Sequence, residues 1–390
     1  MDTNDPLPLI TLRPAVDFNS KWVALLVESD APLDGNALAA LLSLAGCSDV
    51  LATLPCVATV DPDRIDPALA ADLPPGRVIL CVPVAAAADA AMHERLSRLQ
   101  SAGFGLMAAG FPPAGATLFE GIASLAVTCP GHAMPAGFGD WLRQLPGPHL
   151  ALGTTEHVCP GFCKFHWLAG HQPGQHPIQA SSDPTTRSLL LRLLALVMQD
   201  ADADELEALI RRDTNLSYHL LKLVNSVAFA PSRKIDSFGQ AIALIGRRQL
   251  QRWLQLLLYV RPKGSTSASP LLPRAALRAG LMEALARQAG QSHDAQEHAF
   301  MTGMFSLLDL LLGMPLDQII APLGLPDEVA SALTGGEGPL GRTLAAVAAG
   351  EQGDWAALAA ALKAADITAD AWNRALVHAA GWAALVSQEA

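Results

Sequence analysis

The 390-residue sequence predicts a two-part chain, α/β in its first half and all-α in its second. Short apolar runs alternate with helical patterns up to about Gly153, which implies a mostly parallel sheet or a barrel. From Arg187 onwards apolar residues recur at three- and four-residue spacing, the mark of helices with one buried face. Between the halves lies HQPGQHPIQASSDPTT (His171–Thr186), whose Pro, Gln and Ser content reads as a boundary. The expected units are residues 1–180 and 185–390.

In the first half, residues 1 to about 30 are expected to hold one strand, Trp22–Val27. A short helix follows at Asn36–Leu44. Cys56–Val60 and Arg77–Val82 read as buried strands, and Ala85–Gln100 as one alanine-rich helix stopped by Gly103. Gly105–Ala109 and Ile122–Thr128 are strands, Gly139–Leu145 a helix and His149–Gly153 a strand.

In the second half, Leu190, Leu193, Leu194 and Val197 share one helical face. So do Leu206, Leu209 and Ile210, then Leu216, Leu220, Leu223 and Val224, then Leu250, Trp253, Leu254 and Leu257. Asp202 with Glu205 reads as a cap and its returning carboxylate, and Thr214 and Ser237 are further caps. Gly246 and Pro262 are stops. RPKGSTSASP (Arg261–Pro270) is a loop by composition. Further helices are expected at Leu272–Gln288, Ala295–Leu312, Leu316–Ala321, Asp327–Leu333, Leu340–Ala349, Trp355–Ala364 and Ala369–Ser387.

Half of the residues are apolar, enough for a large core without staples. A net charge of −11 argues against a dedicated nucleic-acid binder, because that function rests on neutralising phosphates. The acidic start MDTNDPLPLITLRP lacks a signal-peptide pattern, and no apolar run reaches membrane-spanning length, so a cytoplasmic protein is expected. The six cysteines are too scattered for a disulfide framework. There is no G-x-S-x-G, no P-loop and no G-x-G-x-x-G, and Gly103-x-Gly105 stands before a strand rather than after one.

Arg212-Asp213, then LSYHLLKLVNSVAF (Leu216–Phe229), then Lys234-Ile235-Asp236-Ser237, then AIALIGRRQLQRW (Ala241–Trp253) resemble the HDOD domain. That family is a bacterial signalling module related to the HD metal-dependent phosphohydrolases. The resemblance covers roughly Arg187 to the C-terminus, and makes Asp213, Asn225, Ser226 and Gly246 structural motif residues. It also implies where HD metal ligands would stand. The first histidine falls near Arg274, and the His-Asp pair near Ser306-Leu307 after Gly303-Met304-Phe305. His293-Asp294 is a decoy, read as a polar turn before a helix, with Asp294 favourable near the helix N-terminus.

Leu73–Leu80 (LPPGRVIL), Leu99–Phe111 (LQSAGFGLMAAGF) and Gly161–Phe165 (GFCKF) resemble an EAL domain, a barrel whose active members hydrolyse cyclic di-GMP. Fusion of such a barrel to an HDOD domain is a known arrangement. The resemblance therefore implies a degenerate EAL-like, TIM-type α/β barrel followed by an all-helical HDOD domain. An active barrel needs carboxylates and a lysine to hold two metals and activate water. The matching positions here are Cys81, Ala109, Gly110, about Ala126, Gly153 and His166, and only Glu156 remains of the acidic set. Alanine, glycine and cysteine do not supply oxygen ligands to Mg²⁺ or Mn²⁺, so no phosphodiesterase activity is expected of the barrel.

Two further groups draw attention. His157, Cys159, Cys163 and His166 have zinc-ligand chemistry at poor spacing, and barrel packing is the competing reading. Arg211, Arg212, Arg233 and Lys234, with Arg247, Arg248, Gln249 and Arg252, form two basic groups. They are either a solvated helix face with packed stems or a docking surface for an acidic partner or a phosphate.

The expected function is a non-catalytic regulatory or scaffold protein in bacterial signal transduction, acting through protein–protein contacts, with no cofactor and no metal. One alternative is a cyclic di-GMP sensor that binds without hydrolysis, for which the first half offers Arg77, Arg95, Arg98, Phe111 and Arg143. The other is a residual HD-type phosphohydrolase.

Overall fold

A computed structural model describes residues 7–17, 21–113, 115–128, 138–153, 165–169, 184–199, 201–210, 246–259 and 271–389. In the first half, eight strands close into a barrel. They are β1 (Ile10–Val16), β2 (Trp22–Ser29), β3 (Cys56–Thr59), β4 (Val78–Pro83), β5 (Gly105–Ala109), β6 (Ser124–Thr128), β7 (Leu150–Leu152) and β8 (Trp167–Ala169). Neighbours in sequence are neighbours in the barrel. β2 to β8 run parallel, and β1 runs antiparallel to both β2 and β8.

Alternation along each strand separates two apolar layers, as a closed barrel requires. Inward residues such as Ala24, Leu26, Cys81, Met107 and Ala126 fill the barrel. Outward residues such as Leu25, Val27, Leu80, Val82 and Leu106 belong to the core under the surrounding helices. Those helices are α1 (Gly35–Leu42), α2 (Cys47–Thr53), α3 (Val84–Ala88), α4 (His93–Ala102) and α5 (Phe138–Gln144).

Two expectations need correction here, and one helix stands where none was expected. Residues 1–30 hold two strands, since Ile10–Val16 pairs along its length with β2. Pro14 makes this segment a poor strand by rule, yet β1 meets β8 at Val16↔Leu168 alone, so little of the ladder depends on its far side. Cys47–Thr53 is a helix although no capping side chain announces it; Gly46 precedes it in the left-handed region. The single helix expected over Ala85–Gln100 is broken at Asp89, whose carboxylate accepts from the Ala91 N–H at 2.9 Å and starts a separate turn.

The second half is helical in every described segment: α6 (Pro184–Met198), α7 (Ala203–Ile210), α8 (Arg247–Leu257), α9 (Leu271–Gln288), α10 (His293–Phe305), α11 (Leu308–Leu312), α12 (Leu316–Ile320), α13 (Asp327–Gly335), α14 (Gly338–Gln352), α15 (Trp355–Ala364) and α16 (Ala369–Glu389). Asp202 stands directly ahead of α7. The helix expected over Ala295–Leu312 is two helices. Ser306 Oγ turns back to donate to Gly303 O, and Leu307 leaves helical geometry. The crossing of α9 and α10 is close enough that a Cβ on Gly303 would lie 2.7 Å from Ala279 Cα.

Two apolar clusters hold these helices. Leu193, Leu194, Leu206, Leu250, Leu254, Phe300 and Phe305 gather α6, α7, α8 and α10 into one. The other is continuous with the barrel: Leu277, Leu281 and Leu285 of α9 and Val377 and Ala380 of α16 pack with Leu25, Val27 and Val50. Polar contacts seal this junction. Ile10 N–H donates to Asn373 Oδ1 at 3.1 Å, Asn373 Nδ2 donates to Pro8 O at 2.9 Å, and Trp372 Nε1 donates to Ile10 O at 2.8 Å.

Asn373→Ala should leave the buried Ile10 N–H unpaired and lower stability by about 1–3 kcal/mol. Urea unfolding of the full chain checks the size of the loss. Hydrogen exchange should place the new opening in β1.

Candidate functional site

The C-terminal ends of barrel strands are where barrel folds build sites. Here that end opens into a cavity of about 450 Å³ lined by Arg13, Glu28, Ser29, Asp30, Thr59, Thr128 and Gly153. Its other wall comes from the helical half: Gln352, Gly353 and Trp355. Arg13 Nη2 meets Glu28 Oε2 at 2.7 Å, so the guanidinium already faces a carboxylate. Burial raises the Glu28 carboxyl above its ordinary value, and Arg13 offsets only part of that.

The barrel positions at which the resemblance placed metal ligands are otherwise occupied. Cys81 and Ala126 lie in the buried interior, and burial pushes the Cys81 thiol up to about 12. Ala109 ends β5 and Gly110 follows it, while Gly153 follows β7. His166 Nδ1 accepts from His149 N–H at 3.2 Å. His149 is itself buried, with Nδ1 accepting from Leu125 N–H at 3.2 Å. Glu156, His157, Cys159 and Cys163 lie outside the described residues. Among the described residues, no three His, Cys, Asp or Glu side chains gather as a metal site.

In the helical half, the two places implied for HD ligands have become parts of an ion-pair cluster. Glu351, in the last turn of α14, receives Arg274 Nη2 at 2.6 Å, Arg278 Nε at 2.6 Å and Arg278 Nη2 at 2.8 Å. Arg278 Nη1 donates to Ser306 Oγ at 2.8 Å. Beside them Tyr259, fully buried, donates to Met304 O at 2.5 Å. Burial alone would raise the Glu351 carboxyl; Arg278 and then Arg274 outweigh it and bring it down to about 2. The bidentate Arg278 contact is the strong geometry for a guanidinium and a carboxylate.

His293 and Asp294 lie within the first turn of α10 rather than before it, and Ser292 is the cap, accepting from Ala295 N–H at 3.2 Å. Asp294 meets Arg248 Nη2 at 2.5 Å. Arg252 is more enclosed. It pairs with Glu283, donates from Nε to Glu297 at 3.1 Å, and lies over the Phe300 ring at 4.3 Å. The arginine face is therefore spent largely on helices α9 and α10. Arg247 and Gln249 share α8 with Arg248 and Arg252, and Gly246 precedes it at φ +75°. Arg211, Arg212, Asp213, Asn225, Ser226, Arg233 and Lys234 lie outside the described residues.

Sequence reading missed the Arg13–Glu28 pair because β1 was not read as a strand and β2 was read only as far as Val27, and missed Glu351 because nothing local marks it. An isolated glutamate in an alanine-rich helix shows its role only once Arg274 and Arg278 face it.

With this geometry in view, residues 184–312 match the model of the HDOD domain and form that domain. The chain is 36% identical over 148 residues to the uncharacterized protein YuxH of Bacillus subtilis (strain 168), covering 37% of this chain and 36% of that protein. It is 33% identical over 160 residues to the cyclic di-GMP phosphodiesterase CdgJ of Vibrio cholerae serotype O1, covering 40% and 36%. The chain thus spans little more than a third of the length of either curated relative. A solved structure from Shewanella amazonensis SB2B, provisionally named a phosphohydrolase, overlaps 52% of this chain and 93% of its own at 15% identity. Its TM-score of 0.37 is too loose to define a shared fold.

The depressed carboxyl of Glu351 sets a pH dependence. An unfolded glutamate titrates near 4.5 and this one near 2, so its contribution is present above about pH 4.5 and lost as pH falls towards 2. Glu351→Ala should cost about 3–5 kcal/mol at neutral pH by stranding two arginines. It should also flatten the acid limb of the stability curve between those values, as followed by urea unfolding at stepped pH.

Proposed function

We propose that this chain is a non-catalytic regulatory protein of bacterial signal transduction, a degenerate EAL-like barrel joined to an HDOD domain, acting through protein–protein contacts. The observation that carries the reading is the same substitution at two places. Cys81, Ala109, Gly110, Ala126 and Gly153 stand where the barrel would need metal-binding groups. Arg274 and Ser306, tied to Glu351 directly and through Arg278, stand where the helical half would. A guanidinium cluster repels a cation, so the second place disfavours the residual phosphohydrolase reading.

The relation to a protein named as a cyclic di-GMP phosphodiesterase favours one second reading, a sensor that holds cyclic di-GMP without cutting it. On that reading the nucleotide would lie in the cavity at the barrel mouth. The arginines set aside for that role are engaged elsewhere. Arg95 donates to the carbonyls of Pro62, Asp63 and Ile65, Arg98 pairs with Glu94 and Arg143 with Asp140. Arg77 precedes β4, at the opposite rim from the cavity. Phe111 follows β5 on the cavity's side.

Calorimetric titration of the full chain with cyclic di-GMP, with and without Mg²⁺, while products are followed by chromatography, separates the readings. No turnover is expected under either condition. Turnover would overturn the non-catalytic reading, and binding without turnover would select the sensor.

A further inference from the structure

The wall that the helical half lends to the barrel mouth is only one residue away from the half-buried ion-pair cluster. Glu351 is fastened to α9 by Arg274 and Arg278, and Gln352 and Gly353, the next two residues, line the cavity together with Trp355. The corner between them is short and defined. Gly353 ends α14 at φ +69°, where a side chain would be strained, and Asp354 caps α15 by accepting from Ala357 N–H at 3.0 Å. Helix α14 also lies against β1, the strand that carries Arg13 into the same cavity.

Arg278 extends the connection. It reaches Ser306 at the break between α10 and α11, inside the HDOD domain. One continuous set of charge-assisted bonds and backbone therefore runs from the barrel mouth, through Gly353 and Glu351, to Arg274, Arg278 and Ser306. A molecule that fills the cavity lies against Gln352 and Trp355. Both are joined by a short stretch of backbone to the last turn of α14, which carries the carboxylate that three short hydrogen bonds hold in place.

We propose that the corner Gln352–Trp355 is a strap over the barrel mouth, held by Glu351, through which filling of the mouth is passed to the HDOD helices. Coupling of this kind requires a physical element that both places bias, not nearness alone. The last turn of α14 is that element. The proposal rests on the regulatory reading in taking the mouth as a place that is filled rather than one that reacts. Its test uses no nucleotide, so it can fail while that reading stands, and hold while that reading falls.

Hydrogen exchange measured by mass spectrometry on the full chain tests it in both directions. Thr59 is exposed at the end of β3 and lines the cavity. In Thr59→Trp the added indole occupies the mouth from the barrel side. Amide exchange should then rise about tenfold in the last turn of α14 and in the Arg274–Arg278 turn of α9, with α4 unchanged. In the reciprocal variant, Glu351→Gln, the strap loses its fastening. Exchange should rise by about the same factor at residues 352–355 and across the cavity at residues 28–32, again with α4 unchanged. Changes confined to β3 in the first variant, or to α9 and α14 in the second, would overturn the strap. A uniform rise that includes α4 would equally overturn it, by assigning the effect to global stability. If Thr59→Trp does not fold, Glu351→Gln alone decides.

Discussion

A carboxylate partly withdrawn from water has to be answered by cations, and the helical half answers one at the end of α14. Glu351 brings two arginines of α9 together, and Arg278 spans from it to the turn where α10 ends. Buried ion pairs seldom add net stability over well-packed apolar residues, but breaking one is costly. What such a cluster provides is register. With Glu351 of α14 tied to Arg274 and Arg278 of α9, the two residues that follow it, Gln352 and Gly353, lie at the barrel mouth.

The charge arrangement also explains why the arginine-rich appearance of α8 misleads. Arg252 has a role within the fold, because Glu283, Glu297 and the Phe300 ring surround it. Arg248 remains near the surface with Asp294 as its partner. Guanidinium groups on one helix need opposite carboxylates on the next when those helices are close, and α9 and α10 supply them.

Legibility varied with the length scale of the physics. Strands β2 to β7 and most helices were readable because their apolar spacing is local. β1 was not, because Pro14 and Arg13 interrupt its pattern while its pairing partner, β2, settles its geometry. The break at Asp89 was hidden by alanines that favour helix on both sides, although an aspartate there accepts an Ala91 N–H only when the helix stops. The barrel interior could be anticipated as apolar from Cys81 and Ala126, whereas the Arg13–Glu28 pair and the Glu351 cluster join residues remote in sequence. Local pattern has no access to such pairs. Composition led to the expectation of two separate units divided near residue 185, whereas α9 and α16 share an apolar core with the barrel.

That shared core bears on the order in which the chain can mature. Ile10 and Asn373 are separated by 363 residues, so during synthesis β1 leaves the ribosome long before the side chain that satisfies it exists. Until α16 arrives, the outer faces of β1 and α2 remain without the apolar cover of Val377 and Ala380. Non-local closure of this kind is slow and leaves sticky surface exposed meanwhile. The outer face of the first strand is thus completed by the far end of the chain, and closing the barrel's apolar coat and seating α16 are one and the same event.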